Sequence, residues 1–194
     1  MIFFLKNLKP YFSRPILALL LISGLFMFAF NLLSPIFAIF VEDVGGDITT
    51  ASTASAIFLA TAGLLTFVAG KYENVLKEKE LGIMWAQFVL GIGYLLYYFT
   101  DSVAMVYVVQ IVLGIGEALY WPAFHAVYAQ HANGQNSITQ WSIYDGLAYL
   151  IPAVGAELGG WLVKWYGFGV VFLIMATISF LAGLFILFLP RKVL

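Results

Sequence analysis

Four ionisable residues sit inside the apolar stretches of this sequence: Glu117, His125, Asp145 and Glu157. Glu117 lies near the middle of VAMVYVVQIVLGIGEALYWPAFHAVY, residues 103–128, a run long enough to cross a bilayer. At about 100° per residue, Gln110, Gly114, Glu117, Trp121, His125 and Tyr128 fall within about 80° of one another on a helix. A carboxyl at mid-membrane depth is costly, and such groups usually face a bundle interior or a watery cavity. The chemistry this stripe offers is uptake and release of a proton at Glu117, beside polar and aromatic neighbours that can hold a solute. The plainer alternative is a structural glutamic acid bonded to Gln110, or to Asn31 across the bundle.

The other candidates take their meaning from depth and face. Asn31 reaches the depth of Glu117 by the helical rise of about 1.5 Å per residue, and either binds solute or ties two helices together. Trp121 shares the Glu117 face, so it reads as a cavity aromatic, with packing as the alternative. Asp145 lies about 8 Å inward of the centre of its helix, on a face with Ser142, Tyr149 and Pro152. It belongs either to a polar path or to an inner gate, paired with a cation. Glu157 points about 120° away from Asp145, near the outer interface, within reach of Lys164 or of water. His125, near the inner interface, is a proton-relay member or an interfacial polar group.

These residues must be positioned by membrane helices. Of 194 residues, 63% are hydrophobic and 10% charged, against roughly 45–50% and 25% in an ordinary soluble domain. Mean hydropathy is +0.98. The apolar runs are continuous over helical lengths and do not alternate, which selects an all-α polytopic membrane protein over a β-barrel. The absence of cysteine excludes disulfides and thiolate metal sites, and two histidines, His125 and His131, leave little for a metal cluster. No metal or cofactor is implied.

Six transmembrane helices are expected, at about 15–41, 50–70, 81–100, 103–128, 138–163 and 168–189. The first exceeds the roughly 7–15 apolar residues of a cleavable signal, so it reads as a retained span, kinked at Pro35. Residues 1–14 suit a cytoplasmic surface segment, residues 15–190 the six-helix bundle, and residues 191–194 a cytoplasmic tail. An inside N-terminus puts Lys6, Lys9, Arg14, Lys71, Lys77, Lys79, Arg191 and Lys192 inside and only Lys164 outside. That bias orients the chain in an inner (plasma) membrane with both termini cytoplasmic. Small residues line one side of the second span (Ser52, Ser55, Ala56, Gly63, Thr66, Gly70), and GAELGG in the fifth repeats the pattern, so both invite close helix contacts.

Several segments resemble the major facilitator superfamily, specifically one six-helix half, most like an N-terminal half. AGKYENVLKEKEL is similar to the Gly-x-Leu-Ala-Asp-Arg-x-Gly-Arg-Arg loop signature, with Glu73 at the acidic position and Lys77 and Lys79 near the basic ones; Ala69 takes the first glycine position, followed by Gly70. QIVLGIGEALYWPAF resembles the Arg-x-x-x-Gly-x-Gly motif, with Gly114 and Gly116 in place and Gln110 for the arginine. VGAELGGWL is similar to the Gly-Pro-x-x-Gly-Gly run, with Ala156 for proline, and WYGFGVVFLIMA to the entry of the sixth helix.

The resemblance implies a membrane transporter working by alternating access, with Gly70, Glu73, Lys77 and Lys79 as its gating loop. It also implies a partner, since full members have two such halves. The halves share one orientation, so two copies of this chain can form a parallel homodimer; the alternative is a non-transporting subunit or assembly factor paired with a separately encoded half. The aromatic, weakly charged lining suits a small amphipathic solute, moved by secondary transport and coupled to protons in an efflux direction. An enzyme is not expected, because neither Gly-x-Ser-x-Gly nor His-Glu-x-x-His occurs. Nor is nucleic-acid binding, since the basic residues are confined to short loops.

Overall fold

The computed structural model describes residues 13–73 and 78–189, and the side chains of Tyr72 and Glu73 lie outside that description. Pro15 near the start of the first helix begins α1, Arg14–Leu33, where a missing N–H costs nothing. A 3-10 turn at Ser34–Ile36 interrupts it and α2, Phe37–Asp43, completes the crossing. Pro35 sits in that turn, as its lack of a backbone donor demands. There follow α3 (Ile48–Glu73), α4 (Glu80–Tyr98), α5 (Val103–His131), α6 (Ser137–Tyr166) and α7 (Phe168–Phe188).

Among the described residues, six helices or helix pairs are long and apolar enough to cross a membrane, matching the expected spans within a few residues. Arg14, Lys71 and Lys79 mark one face of the bundle, and Glu42, Asp43, Asp47 and Asp101 the other. These are called the basic and acidic faces below. The expected surface segment is described only from Ser13 on, and the tail 191–194, Lys77 and the Glu73 side chain lie outside the described residues.

The helices pack as two interlocked sets rather than in chain order. α3 lies along α5, α4 along α5 and α7, and α1 along α6 and α7. Apolar burial drives little of this in lipid, so close backbone approach and packing must hold the helices together. Gly114 and Gly116 show how. A methyl on Gly114 would meet the Phe58 carbonyl oxygen of α3 at 2.9 Å, and one on Gly116 would meet Leu90 Cγ of α4 at 2.7 Å. The family-like glycine pair is thus the seam by which α5 is held on two sides.

Gly155 and Gly159 play the same part for α6. A methyl on Gly155 would lie 2.9 Å from the Phe28 carbonyl oxygen of α1, and one on Gly159 would overlap the Leu32 carbonyl. The GxxxG row expected as a helix contact is therefore used inside the bundle, against α1. In the next row nothing stands within 4 Å of a methyl built on Gly160, while Ala156 is half-buried.

α3 and α6 are the least covered helices, with 17% and 11% of their apolar windows buried against 44–56% in the other four. At the acidic face Asp47 caps α3, its Oδ1 accepting from both the N–H and the hydroxyl of Thr50 at 2.7 Å.

Candidate functional site

α1, α5 and α6 line an open cavity of about 450 Å³ in the half of the bundle toward the basic face. α1 contributes Phe26, Met27, Phe30 and Asn31; α5 contributes Glu117, Trp121 and His125; α6 contributes Tyr144, Asp145, Ala148 and Pro152. Prolines stand inside both α5 and α6, at Pro122 and Pro152, and each frees a backbone carbonyl of its helix; Pro152 lines the cavity.

Glu117 is half-buried. Trp121 Nε1 donates to its Oε1 at 2.9 Å, while Oε2 is buried with no hydrogen-bond partner. The Glu117 carboxyl bonds neither Gln110 nor Asn31, the two partners expected of a purely structural acid. Asn31 instead donates from Nδ2 to the Met27 carbonyl oxygen of its own helix, at 2.9 Å. His125 stacks on Trp121, with ring centroids 5.2 Å apart and planes 28° apart. Glu117, Trp121 and His125 therefore form a continuous row at intervals of four residues, the spacing that stacks side chains on a helix.

Behind this row stands an aromatic column. Phe26 stacks on Tyr120 at 4.3 Å, Tyr120 on Phe124 at 5.6 Å, and Phe124 on Tyr128 at 5.5 Å. Tyr128 donates its hydroxyl to the Gln140 carbonyl oxygen at 2.7 Å and fastens the end of α5 to the start of α6. Of the column only Phe26 lines the cavity, and the other three rings are buried behind it.

Five of the seven residues singled out for this path line the one cavity: Glu117, Asn31, Trp121, Asp145 and His125. Two do not. Gln110 is buried elsewhere, in a smaller pocket nearer the acidic face, because a face 80° wide on a tightly packed helix meets more than one neighbour. Tyr149 is 79% exposed on the outside of α6, and the tyrosine lining the cavity is Tyr144. The choice of Tyr149 over Tyr144 came from sharing a face with Asp145 in projection. Helix packing decides differently, since Tyr144 contacts Phe124 at 5.2 Å and is drawn inward. Phe26, Met27 and Phe30 were missed because nothing distinguishes them from lipid-facing residues in sequence.

Glu157 lies outside the cavity and accepts from Trp161 Nε1 at 2.7 Å. Lys164 Nζ stands over the Trp161 ring at 5.3 Å, so an indole separates the acid from the cation expected to pair with it. Of the loop residues, Gly70 ends the apolar part of α3 and Lys79 precedes the first turn of α4. Among the described residues no three metal-ligating side chains converge.

A family model described as Major Facilitator Superfamily matches residues 19–193. Among solved structures, the fold is similar to the in meso crystal structure of the POT family transporter PepTSo, with a TM-score of 0.75 at 17% sequence identity. The match covers 94% of this chain and 38% of that one, so this chain spans well under half of that transporter's length. No curated protein matches the sequence.

Proposed function

This chain belongs to the major facilitator superfamily, and we propose that it moves a small amphipathic solute across the membrane by alternating access. The observation that carries this reading is the cavity itself. It combines an aromatic wall with two carboxyl groups, Glu117 and Asp145, a histidine and an amide, and no lysine or arginine lines it. Such a lining suits a solute with an apolar body and a cationic or hydrogen-bonding group, because the rings supply contact area and cation–π attraction while the acids supply charge. A polyanion would need arginines in those positions.

Glu117 is the group that couples a proton to this movement, in the efflux direction. It has one oxygen held by Trp121 and one buried oxygen with no partner, so gaining a proton or meeting a cation both relieve the same unpaired atom. The membrane is an inner (plasma) membrane, with the basic face cytoplasmic by the positive-inside rule. A second six-helix bundle covers α3 and α6, and two copies of this chain in parallel are the arrangement favoured by their open small-residue faces.

Binding of tetraphenylphosphonium to the purified, solubilised chain tests the solute class, with tetraphenylborate as an anion of the same shape. We expect the cation to bind and Asp145→Asn to weaken it. Equal binding of both ions, or preference for the anion, overturns this reading. Proton flux on addition of the cation to proteoliposomes then tests coupling.

A further inference from the structure

A second cavity, of about 110 Å³, lies on the acidic side of the first. α1 and the following turn line it with Phe30, Leu33 and Ser34, α2 with Phe37, α3 with Ser55 and Phe58, and α4 and α5 with Tyr94, Tyr97, Gln110 and Leu113. Phe30 lines both cavities and is the partition between them. The Tyr94 side chain is 1% exposed, yet its hydroxyl has no hydrogen-bond partner. Buried hydroxyls are normally satisfied, and an unpaired one in a polar, roomy cavity is where ordered water is found. The volume is enough for several molecules, since each needs roughly 10–15 Å³ by this measure. Ser34, Ser55 and Gln110 supply the further polar groups such waters require.

The helix that carries Tyr94 lies close against the one that carries Glu117: Gly116, next to Glu117, packs on Leu90, one turn before Tyr94, and a methyl on it would meet the Leu90 backbone nitrogen at 3.3 Å. We propose that this outer pocket binds a water cluster which, through the Tyr94 hydroxyl, gives protons a route from the acidic face to Glu117, separate from the route the solute takes. The inference rests on the reading of Glu117 as the proton-carrying group. The Tyr94 hydroxyl and the free Glu117 oxygen each lack a hydrogen-bond partner, so a water between them completes the relay: the hydroxyl accepts a proton from the pocket side as it passes its own to that water, which passes one on to the carboxyl, and no charge is left on the tyrosine. Solute and proton then approach one carboxyl from opposite sides of Phe30. The other ionisable groups around Glu117 are Tyr120 on its own helix, whose hydroxyl is likewise buried and unpaired, and His125, Tyr144 and Asp145 across the solute cavity. α1 and α3 carry ionisable residues only near their ends at the basic face, Arg14, Lys71, Tyr72 and Glu73.

Two measurements test it. Radiolytic hydroxyl-radical labelling of the unmodified chain reads the water: Met175 lines the pocket at 1% exposure, while Met84 is 5% exposed and lies outside it. Faster oxidation of Met175 than of Met84 is expected, and equal or slower oxidation overturns the water cluster. The second keeps Trp121 as the sole tryptophan, with Trp85, Trp141, Trp161 and Trp165 replaced by Phe, and follows its fluorescence after a pH step on one side of oriented proteoliposomes. Because Trp121 bonds Glu117, it reports the carboxyl's protonation. Tyr94→Phe and Ser55→Leu are each expected to slow the response to a step on the acidic face by about tenfold or more, and to leave a step on the basic face unchanged. A response that neither variant alters overturns the route while sparing Glu117; no pH response from either side overturns both.

Discussion

Trp121 and Glu117 stand one turn apart on the cavity wall, joined by a 2.9 Å hydrogen bond from the indole N–H to one carboxyl oxygen. The indole thereby fixes the orientation of the acid and leaves its second oxygen buried and unpaired. Trp121→Phe keeps an aromatic ring in the wall and removes the donor, which leaves both carboxyl oxygens to find partners. The expected cost is about 1–3 kcal/mol, measured as reduced thermal stability of the solubilised protein. Glu117→Gln keeps an acceptor for the indole and should fold like the parent. Its solute binding should lose the parent's dependence on pH, and a variant that titrates as the parent does would remove Glu117 from the coupling scheme.

The approach of α6 to α1 gives a sharper test of packing. Gly159→Ala places a methyl on the Leu32 carbonyl, a backbone atom that cannot swing aside. Gly160→Ala adds the same methyl one residue later, where nothing lies within 4 Å. We expect the first to lower stability by about 1–3 kcal/mol or to block folding, and the second to be close to neutral. Parallel thermal unfolding of the two variants in one detergent checks the contrast. Equal effects would mean that α6 does not lie against α1 as described.

Asp47 links the turn before α3 to pH. The Thr50 hydroxyl, and then its backbone N–H, hold this carboxyl below the usual carboxylate range. A pKa lowered on folding contributes stability that is present above the unfolded value and lost as pH falls through the folded one. Below about pH 4 the cap of α3 should therefore weaken, and amide exchange at residues 48–51 should quicken. Asp47→Asn retains an acceptor without the charge and should show no such acid-dependent change. Exchange measured in both proteins across that pH range decides it.

The spans were legible in sequence because six continuous apolar runs admit few other folds, and Pro35 marked the break in the first. Glu117, Asp145, Asn31, Trp121 and His125 were legible as well, since a polar side chain in an apolar run announces itself by its cost. What projection alone could not do was choose between neighbours on a crowded helix. Gln110 and Glu117 lie seven residues apart, about 20° in angle, and still face different cavities, because Phe30 and the helix crossing separate them along the axis. The same limit exchanged Tyr149 for Tyr144. For GAELGG the pattern correctly signalled a close contact, yet two of its glycine-row positions serve α1, and in the next row a methyl on Gly160 would meet nothing.

That next row sets the last expectation. Ala156 and Gly160 on α6, with Ser52, Ala56 and Gly63 on α3, present small side chains on the two least-buried helices. Small residues permit backbones to approach closely, and in lipid such packing is the principal source of helix association. Ser55, by contrast, lines the smaller pocket and is a poorer reporter of a contact with a second bundle. The chain contains no cysteine, so single cysteines can be introduced without background. Ala56→Cys and Ala156→Cys should each give a dimer-sized product on mild oxidation in membranes, whereas Leu181→Cys, exposed on α7 and away from both rows, should not. Equal crosslinking at all three sites would indicate random collision in the bilayer, and no product at Ala56 or Ala156 would argue against pairing through these faces. Capture of a different chain in place of a second copy, read from the mass of the product, would preserve the surface and replace the homodimer with a one-to-one pair.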